Sequence, residues 1–216
     1  MRRVIPPAST GGFWWSGKPL ALVSGSSMPR RLFIAIDLPK PVCWRLGQLV
    51  ADPPRGVRPV RPAQLHLTLH FLGDVEDDVC GTLRDALAGV HGDLFRLSIQ
   101  GTGVFPPRGR PSVLWAGVVD LDALVALHAA IGAAVESCGL EIERRPYVPH
   151  VTLARFTPAV PRAGTAGFLS ETARLAIDDI TVDRFHLYCS RKLDGATEHS
   201  IEATFPLGSE NVSGAL

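Results

Sequence analysis

The sequence predicts an α+β fold in which two mainly antiparallel sheets, related by a pseudo-two-fold, share one cleft. Three observations carry that prediction. Strand-like runs mix with helical patterns, and many neighbouring strands are joined by short turns, which favours antiparallel pairing over a doubly wound parallel sheet. The pattern His-x-Thr-Leu occurs twice, as HLTL at 66–69 and HVTL at 150–153, 84 positions apart, and the copies explain each other if their strands stand face to face across the shared cleft. Each copy has the two-residue period of a strand, so its His and Thr share one face and its apolar residues take the other.

RLFIAIDL (31–38) is a short Phe- and Ile-rich run and reads as the first strand. Pro39 and Pro41 open a helix that carries Val42, Leu46 and Leu49, and Pro53-Pro54 closes it. LHLTLHFL (65–72) is a strand, and a helix follows across 76–90, with Val79, Leu83, Leu87 and Val90 at helical spacing. LFRLSIQGTGVF (94–105) and SVLWAGVV (112–119) are strands joined by the turn-rich PPRGRP. The next helix runs from Asp120 or Asp122, as N-cap, to Gly139 as the glycine after its end. A short strand is expected near 140–144, then HVTLARF (150–156). A looser region with Pro158, Pro161 and Gly164 leads to AIDDITVDRFHLYCSRK (176–192), mostly strand, and HSIEATFPL (199–207) is the last strand.

The chain of 216 residues is long enough for a substantial core, and its 46% hydrophobic and 20% charged residues are those of an ordinary globular protein. The net charge of +1 supplies no global field for nucleic acid, so any anion site must come from a local cluster of arginines. Cys43, Cys80, Cys138 and Cys189 form no C-x-x-C and no zinc-finger spacing, and are expected as reduced thiols in a cytoplasmic protein. No segment has the long uncharged apolar run of a membrane span. In residues 1–27, prolines and glycines break any signal-like run, and PRRLFIAIDL follows Met28 directly. Residues 1–27 are therefore expected to be a disordered extension or an over-called start, 28–208 a single domain, and 209–216 a flexible tail. With no exposed apolar stripe in the pattern, the expected state is a monomer.

Two histidines titrating near neutrality can serve as general base and general acid around one reacting atom. A threonine two residues on, on the same face, can give a hydroxyl hydrogen bond to that centre. Two such pairs in near two-fold symmetry suit a phosphodiester, with its two non-bridging oxygens and its in-line displacement. Zinc is the competing reading, but it wants three or four ligands, and neither motif has an Asp or Glu on its His face. No metal and no cofactor are expected.

With HLTLHFLG and HVTLARF, RLFIAIDLP before them and FPPRGRPSVLWAGV between, residues 30–207 resemble the two-histidine (2H) phosphoesterase superfamily. Within it they are most similar to the RNA 2′,3′-cyclic phosphodiesterases, also called 2′-5′ RNA ligases (LigT-like). The resemblance implies a bilobal α+β fold with helices outside and a central cleft. It implies metal-independent opening of RNA or nucleotide 2′,3′-cyclic phosphates to 2′-phosphates, with weak reverse 2′-5′ ligation. His66 and His150 match the catalytic histidines, His66 as acid and His150 as base, and Thr68 and Thr152 match the phosphate-binding threonines. Arg155 and Phe71 match positions where a base would stack. Strict alternation puts both on the wrong face, so they reach the cleft only if the strands end or bulge after Leu69 and Leu153.

His70 shares the cleft face by alternation and is expected to be solvated. His91, His128, His186 and His199 belong to no motif and are read as structural or surface residues. Arg108, Arg110, Arg144 and Arg145 are candidates for RNA backbone contacts. Two alternatives remain at this point: another 2H activity, on 2′-5′ oligoadenylates or an ADP-ribose cyclic phosphate, and a non-catalytic RNA-binding module.

Overall fold

The expected patterns become nine strands and three principal α-helices, with a short 3-10 helix at Pro62–Gln64, among the residues described by a computed structural model: 29–157, 169–170, 172–193 and 196–208. Residues 1–27 and 209–216, expected as an extension and a tail, lie outside the described residues, as does most of the loose region around Pro158 and Gly164. The order is β1 (Arg30–Asp37), α1 (Lys40–Gln48), β2 (Val57–Pro59), β3 (His66–Val75), α2 (Asp77–Ala88), β4 (Phe95–Phe105) and β5 (Val113–Val119). There follow α3 (Asp122–Ser137), β6 (His150–Phe156), β7 (Ala176–Val182), β8 (Arg184–Leu193) and β9 (Ala196–Pro206).

Every strand pair is antiparallel. The strands run β7-β4-β5-β6-β3-β1-β8-β9, with β2 added beside β6. The two expected sheets are thus two four-stranded halves, β7-β4-β5-β6 and β3-β1-β8-β9, and β3 and β6 join them into one sheet. The motif strands lie side by side, not face to face as the repeat suggested. Joining them gives each half a partner along a strand that would otherwise expose unpaired backbone groups. The joint is short: Leu67 pairs with Val151, and these two occupy the same position in their motifs. The pseudo-two-fold therefore passes through this pair.

One face of the sheet is covered by helices. Leu67, Leu69, Val151 and Leu153 turn to this side with Ile34, Ile36 and Leu114, against Leu83 and Leu87 of α2 and Leu124, Ile131 and Val135 of α3, all buried in one cluster. The other face carries the side chains of His66, Thr68, His150 and Thr152.

Departures from the sequence reading have local causes. No strand forms at 140–144, which instead connects α3 to β6. Neither aspartate caps α3: Leu121 holds the cap position without a side-chain hydrogen bond, Asp122 is already the first helical residue, and Asp120 has a left-handed backbone (φ 63°). Gly139 ends the helix as expected, at φ 75°, with its N–H bonded to the Glu136 carbonyl at 2.9 Å. The three-residue β2 has no pattern of its own to read and exists because β6 offers it an edge.

Leu67 is fully buried at the joint. Leu67→Ala should lower unfolding free energy by about 2–5 kcal/mol in chemical denaturation, the cost of a cavity in a packed core.

Candidate active site

One register step either side of the Leu67–Val151 pair sets His66 opposite Thr152 and Thr68 opposite His150. Residues opposite one another in an antiparallel pair share a face, so four side chains form a square, with the histidines on one diagonal and the threonines on the other. Such a diagonal spans roughly 7–8 Å on a pleated sheet, room for a single phosphate. All four are half-buried.

The two rings are oriented alike. His66 Nδ1 lies 2.8 Å from the Gln64 carbonyl, and His150 Nδ1 lies 2.7 Å from the Val148 carbonyl. A carbonyl only accepts, so each Nδ1 carries the proton and donates it, and each neutral ring leaves its Nε2 lone pair free. Both motifs use the carbonyl two residues before the histidine. Burial, followed by positive charge from His199, Arg155 and His150, lowers the His66 pKa to about 4 against the partial help of Gln64. At neutral pH His66 is therefore uncharged.

Both strands bulge where the sequence reading required. β3 skips Leu69 between the pairs Ile34–His70 and Ala35–Thr68, and β6 skips Leu153 between Leu114–Ala154 and Trp115–Thr152. Each extra residue reverses the alternation. Leu69 and His70 consequently both point into the core, and Phe71 emerges on the cleft side, 67% exposed, which excludes a core role for it. Arg155 emerges in the same way and is exposed.

Each histidine stands against an aromatic wall. Phe33 lies 4.9 Å from the His66 ring and stacks on Tyr188 at 5.0 Å, forming with Ala35 a small buried cluster on the cleft side. His150 sits edge-on to Phe105 at 5.1 Å and to Trp115 at 6.3 Å. The Trp115 indole lies across Gly103 and Gly117: a Cβ on Gly103 would overlap the ring, and one on Gly117 would come within 2.8 Å of the Gln100 carbonyl oxygen.

Three residues differ from their sequence reading. His70 is not solvated but 4% exposed, with Nε2 at 2.8 Å from the His128 carbonyl and its ring stacked on His128 at 4.0 Å; the Leu69 bulge is the reason. His128 in turn stacks on Tyr147 at 3.9 Å, whose hydroxyl donates to the Thr68 carbonyl at 3.0 Å and so ties the approach to the second motif to the first. His199, outside any motif, packs edge-on against His66 at 5.5 Å. No local pattern marks it; only the curl of β9 brings it there. His186 is structural as expected, bridging Asp37 at 3.0 Å and Thr204 at 2.9 Å.

All four cysteines are free. Arg145 pairs with Glu143 at 2.6 Å, while Arg108 lies in the exposed turn between β4 and β5. Among the described residues, no three His, Cys, Asp or Glu side chains are grouped to hold a metal ion, and no helix is long and apolar enough to cross a membrane.

A single curled antiparallel sheet that offers two His-x-Thr pairs to one cleft is the architecture of the two-histidine phosphoesterases. The family model of the 2′-5′ RNA ligase superfamily matches residues 44–192, and the chain belongs to that superfamily. An RNA 2′,3′-cyclic phosphodiesterase of Thermus thermophilus is 39% identical over 145 residues, 61% of this chain and 71% of the relative. One from Escherichia coli is 30% identical over 180 residues, 81% of this chain and 94% of the relative. The crystal structure of E. coli LigT complexed with 3′-AMP matches 83% of this chain and 98% of LigT, with a TM-score of 0.68 and 28% identity. TT0787 of T. thermophilus matches 83% of this chain and 99% of its own, with a TM-score of 0.69 and 29% identity.

Gly103→Ala should displace Trp115 and with it the wall behind His150. We expect a fall in activity of at least about tenfold, the size expected when a reacting group is moved from its near-attack position, measured beside a thermal melt. A second expectation concerns acid. The folded pKa values of His66 and His128 are both about 4, below the ordinary 6.5. Between those values the unfolded chain binds more protons, so stability is full above about pH 6.5 and is lost as pH falls towards about 4. Melting temperatures across that window should fall less steeply in His128→Phe, which keeps the stack and removes one titrating ring.

Proposed function

We propose that this protein hydrolyses RNA or nucleotide 2′,3′-cyclic phosphates to 2′-phosphates, with His66 and His150 as the acid–base pair and no metal in the step. The observation that carries the reading is the paired orientation: two rings on one face of the sheet, each fixed by an Nδ1–H bond to a carbonyl, with no hydrogen-bond partner at either Nε2 among the described residues. The names of the relatives support the cyclic phosphodiesterase activity.

The step balances with these groups alone. His150 Nε2 takes a proton from water as its oxygen forms a bond to phosphorus. The bond from phosphorus to the 3′ oxygen breaks, and His66 Nε2 protonates that oxygen, leaving the phosphate on the 2′ oxygen. Thr68 and Thr152 donate hydroxyl hydrogens to the non-bridging oxygens, and those bonds strengthen as charge gathers there. His66 is neutral at pH 7 without substrate, so Nε2 takes its acid proton from solvent when the phosphate anion lies beside the ring and favours imidazolium; the proton that His150 gains returns to solvent after the step. With a 5′-hydroxyl RNA end in place of water, the same displacement leaves a 2′-5′ linkage. Arg155 and Phe71, one from each bulge, are positioned to take the nucleotide through cation and ring-face contacts.

The test is turnover of a short RNA ending in a 2′,3′-cyclic phosphate, in excess EDTA, with 2′- and 3′-phosphate products resolved. Clean 2′-phosphate is expected; activity that appears only with added zinc or manganese would overturn the metal-free step. His66→Ala and His150→Ala should each lower kcat by about 100-fold or more, as loss of a general acid or base does. Thr68→Ala and Thr152→Ala should cost about tenfold, the size of one hydrogen bond to a charged group. Circular dichroism should show all four folded, because these side chains face the cleft.

A further inference from the structure

The cleft holds more donors than one phosphate uses. Beside His66 lie two groups outside the His/Thr square. Arg155 is exposed and forms no ion pair with a carboxylate among the described residues. It stands close enough that its charge lowers the pKa of both His66 and His199. His199 reaches the site from β9, with its ring 5.5 Å from His66 and 4.9 Å from Phe33. The strand is fastened there by Gln64, whose side-chain Nε2 donates to the Thr197 carbonyl at 2.5 Å while its own carbonyl accepts from His66.

The chemistry of His199 is opposite to that of His66 and His150. Its Nδ1 is buried without a hydrogen-bond partner among the described residues. An orphaned buried N–H is costlier than a bare lone pair, so the neutral ring keeps its proton on Nε2. Charging the ring would add an N–H at Nδ1 with nothing to accept it, and burial and Arg155 both oppose that charge. His66 and His150 thus present lone pairs that exchange protons, whereas His199 presents a fixed N–H donor.

We propose that His199 and Arg155 form a second anion subsite, which binds the phosphodiester on the 5′ side of the terminal nucleotide and so favours RNA ends over nucleoside 2′,3′-cyclic phosphates. The inference rests on the cyclic phosphate occupying the His/Thr square as described above. That square already satisfies the reacting phosphate. Arg155 can lay its planar face on the base and still turn its in-plane N–H groups to an anion. It has no carboxylate partner among the described residues, His199 adds a donor without a proton-transfer role, and the next anion of an RNA chain lies within one nucleotide. A nucleoside cyclic phosphate has no such group.

Adenosine 2′,3′-cyclic phosphate, with and without a 5′-methyl phosphodiester, isolates the second phosphate from any second base. The parent should prefer the diester by roughly tenfold or more in kcat/KM, the fold-change of a hydrogen bond to a charged group. In His199→Phe, which keeps the ring and loses the donor, that ratio should fall by roughly tenfold; His199→Gln, which restores a donor, should recover most of it. Because Nε2 carries its proton in the neutral ring, and burial and the Arg155 charge oppose a second one on Nδ1, the contrast should not depend on acidification and should persist at pH 8. A ratio unchanged in His199→Phe, or near one in the parent, would overturn the subsite. Calorimetric binding of adenosine 2′-phosphate with and without the same diester gives the contrast without turnover. Contrast in binding but no turnover of either substrate would overturn the proposed reaction and leave the subsite standing. Turnover with no contrast would overturn the subsite alone.

Discussion

The pairing of Leu67 with Val151 is the contact on which the site depends. It is one rung of a ladder, yet it sets two halves of the chain in a single register. Because the two residues occupy equivalent places in their motifs, everything one step away is arranged by symmetry: His66 against Thr152, Thr68 against His150. A slip of one residue would turn one motif's polar pair into the core and its apolar residues into the cleft. Burial of Leu67 and Val151 without residual exposure makes such a slip costly. The energy of the core thus enforces the geometry of the chemistry.

The bulges at Leu69 and Leu153 complete the arrangement. Without them each strand would send one polar pair to the cleft and then resume strict alternation, hiding position 71 or 155. With them, the same short segment turns a His/Thr pair and then Phe71 or Arg155 to the cleft side. The cost is that Leu69 and His70 must both be accommodated on the helix side. For Leu69 the core suffices; for His70 the α3 carbonyl at His128 and the stacked His128 ring supply partners. Tyr147 continues that stack and bonds to the Thr68 carbonyl, so the packing beneath the sheet also steadies the place where β3 and β6 part.

Most of this was legible in the sequence because it is written in periodicity. The strand period around His66 and His150 gave the polar pairs, helical spacing gave α2 and α3, and Gly139 marked the end of α3. What was not legible depends on contacts between distant segments. His70 reads as a cleft residue until Leu69 is known to bulge, and nothing local says it will. The adjacency of the motif strands, where the repeat suggested that they face each other across a gap, is decided by which edges need partners. His199 carries no motif at all; it reaches His66 because β9 curls across and Gln64 holds Thr197.

The proposed reaction requires both histidines to be Nδ1–H tautomers whose Nε2 atoms converge on one phosphate. Long-range 1H–15N correlation spectra of imidazole-labelled protein, titrated with inorganic phosphate, test it most directly, with His66→Ala and His150→Ala providing the assignments. Expected are the Nδ1–H tautomer in both neutral rings, shifts at both Nε2 nitrogens as phosphate binds, and a His66 pKa that rises from about 4. Nε2-protonated rings in the free protein, or phosphate that perturbs only one of the two histidines, would contradict it.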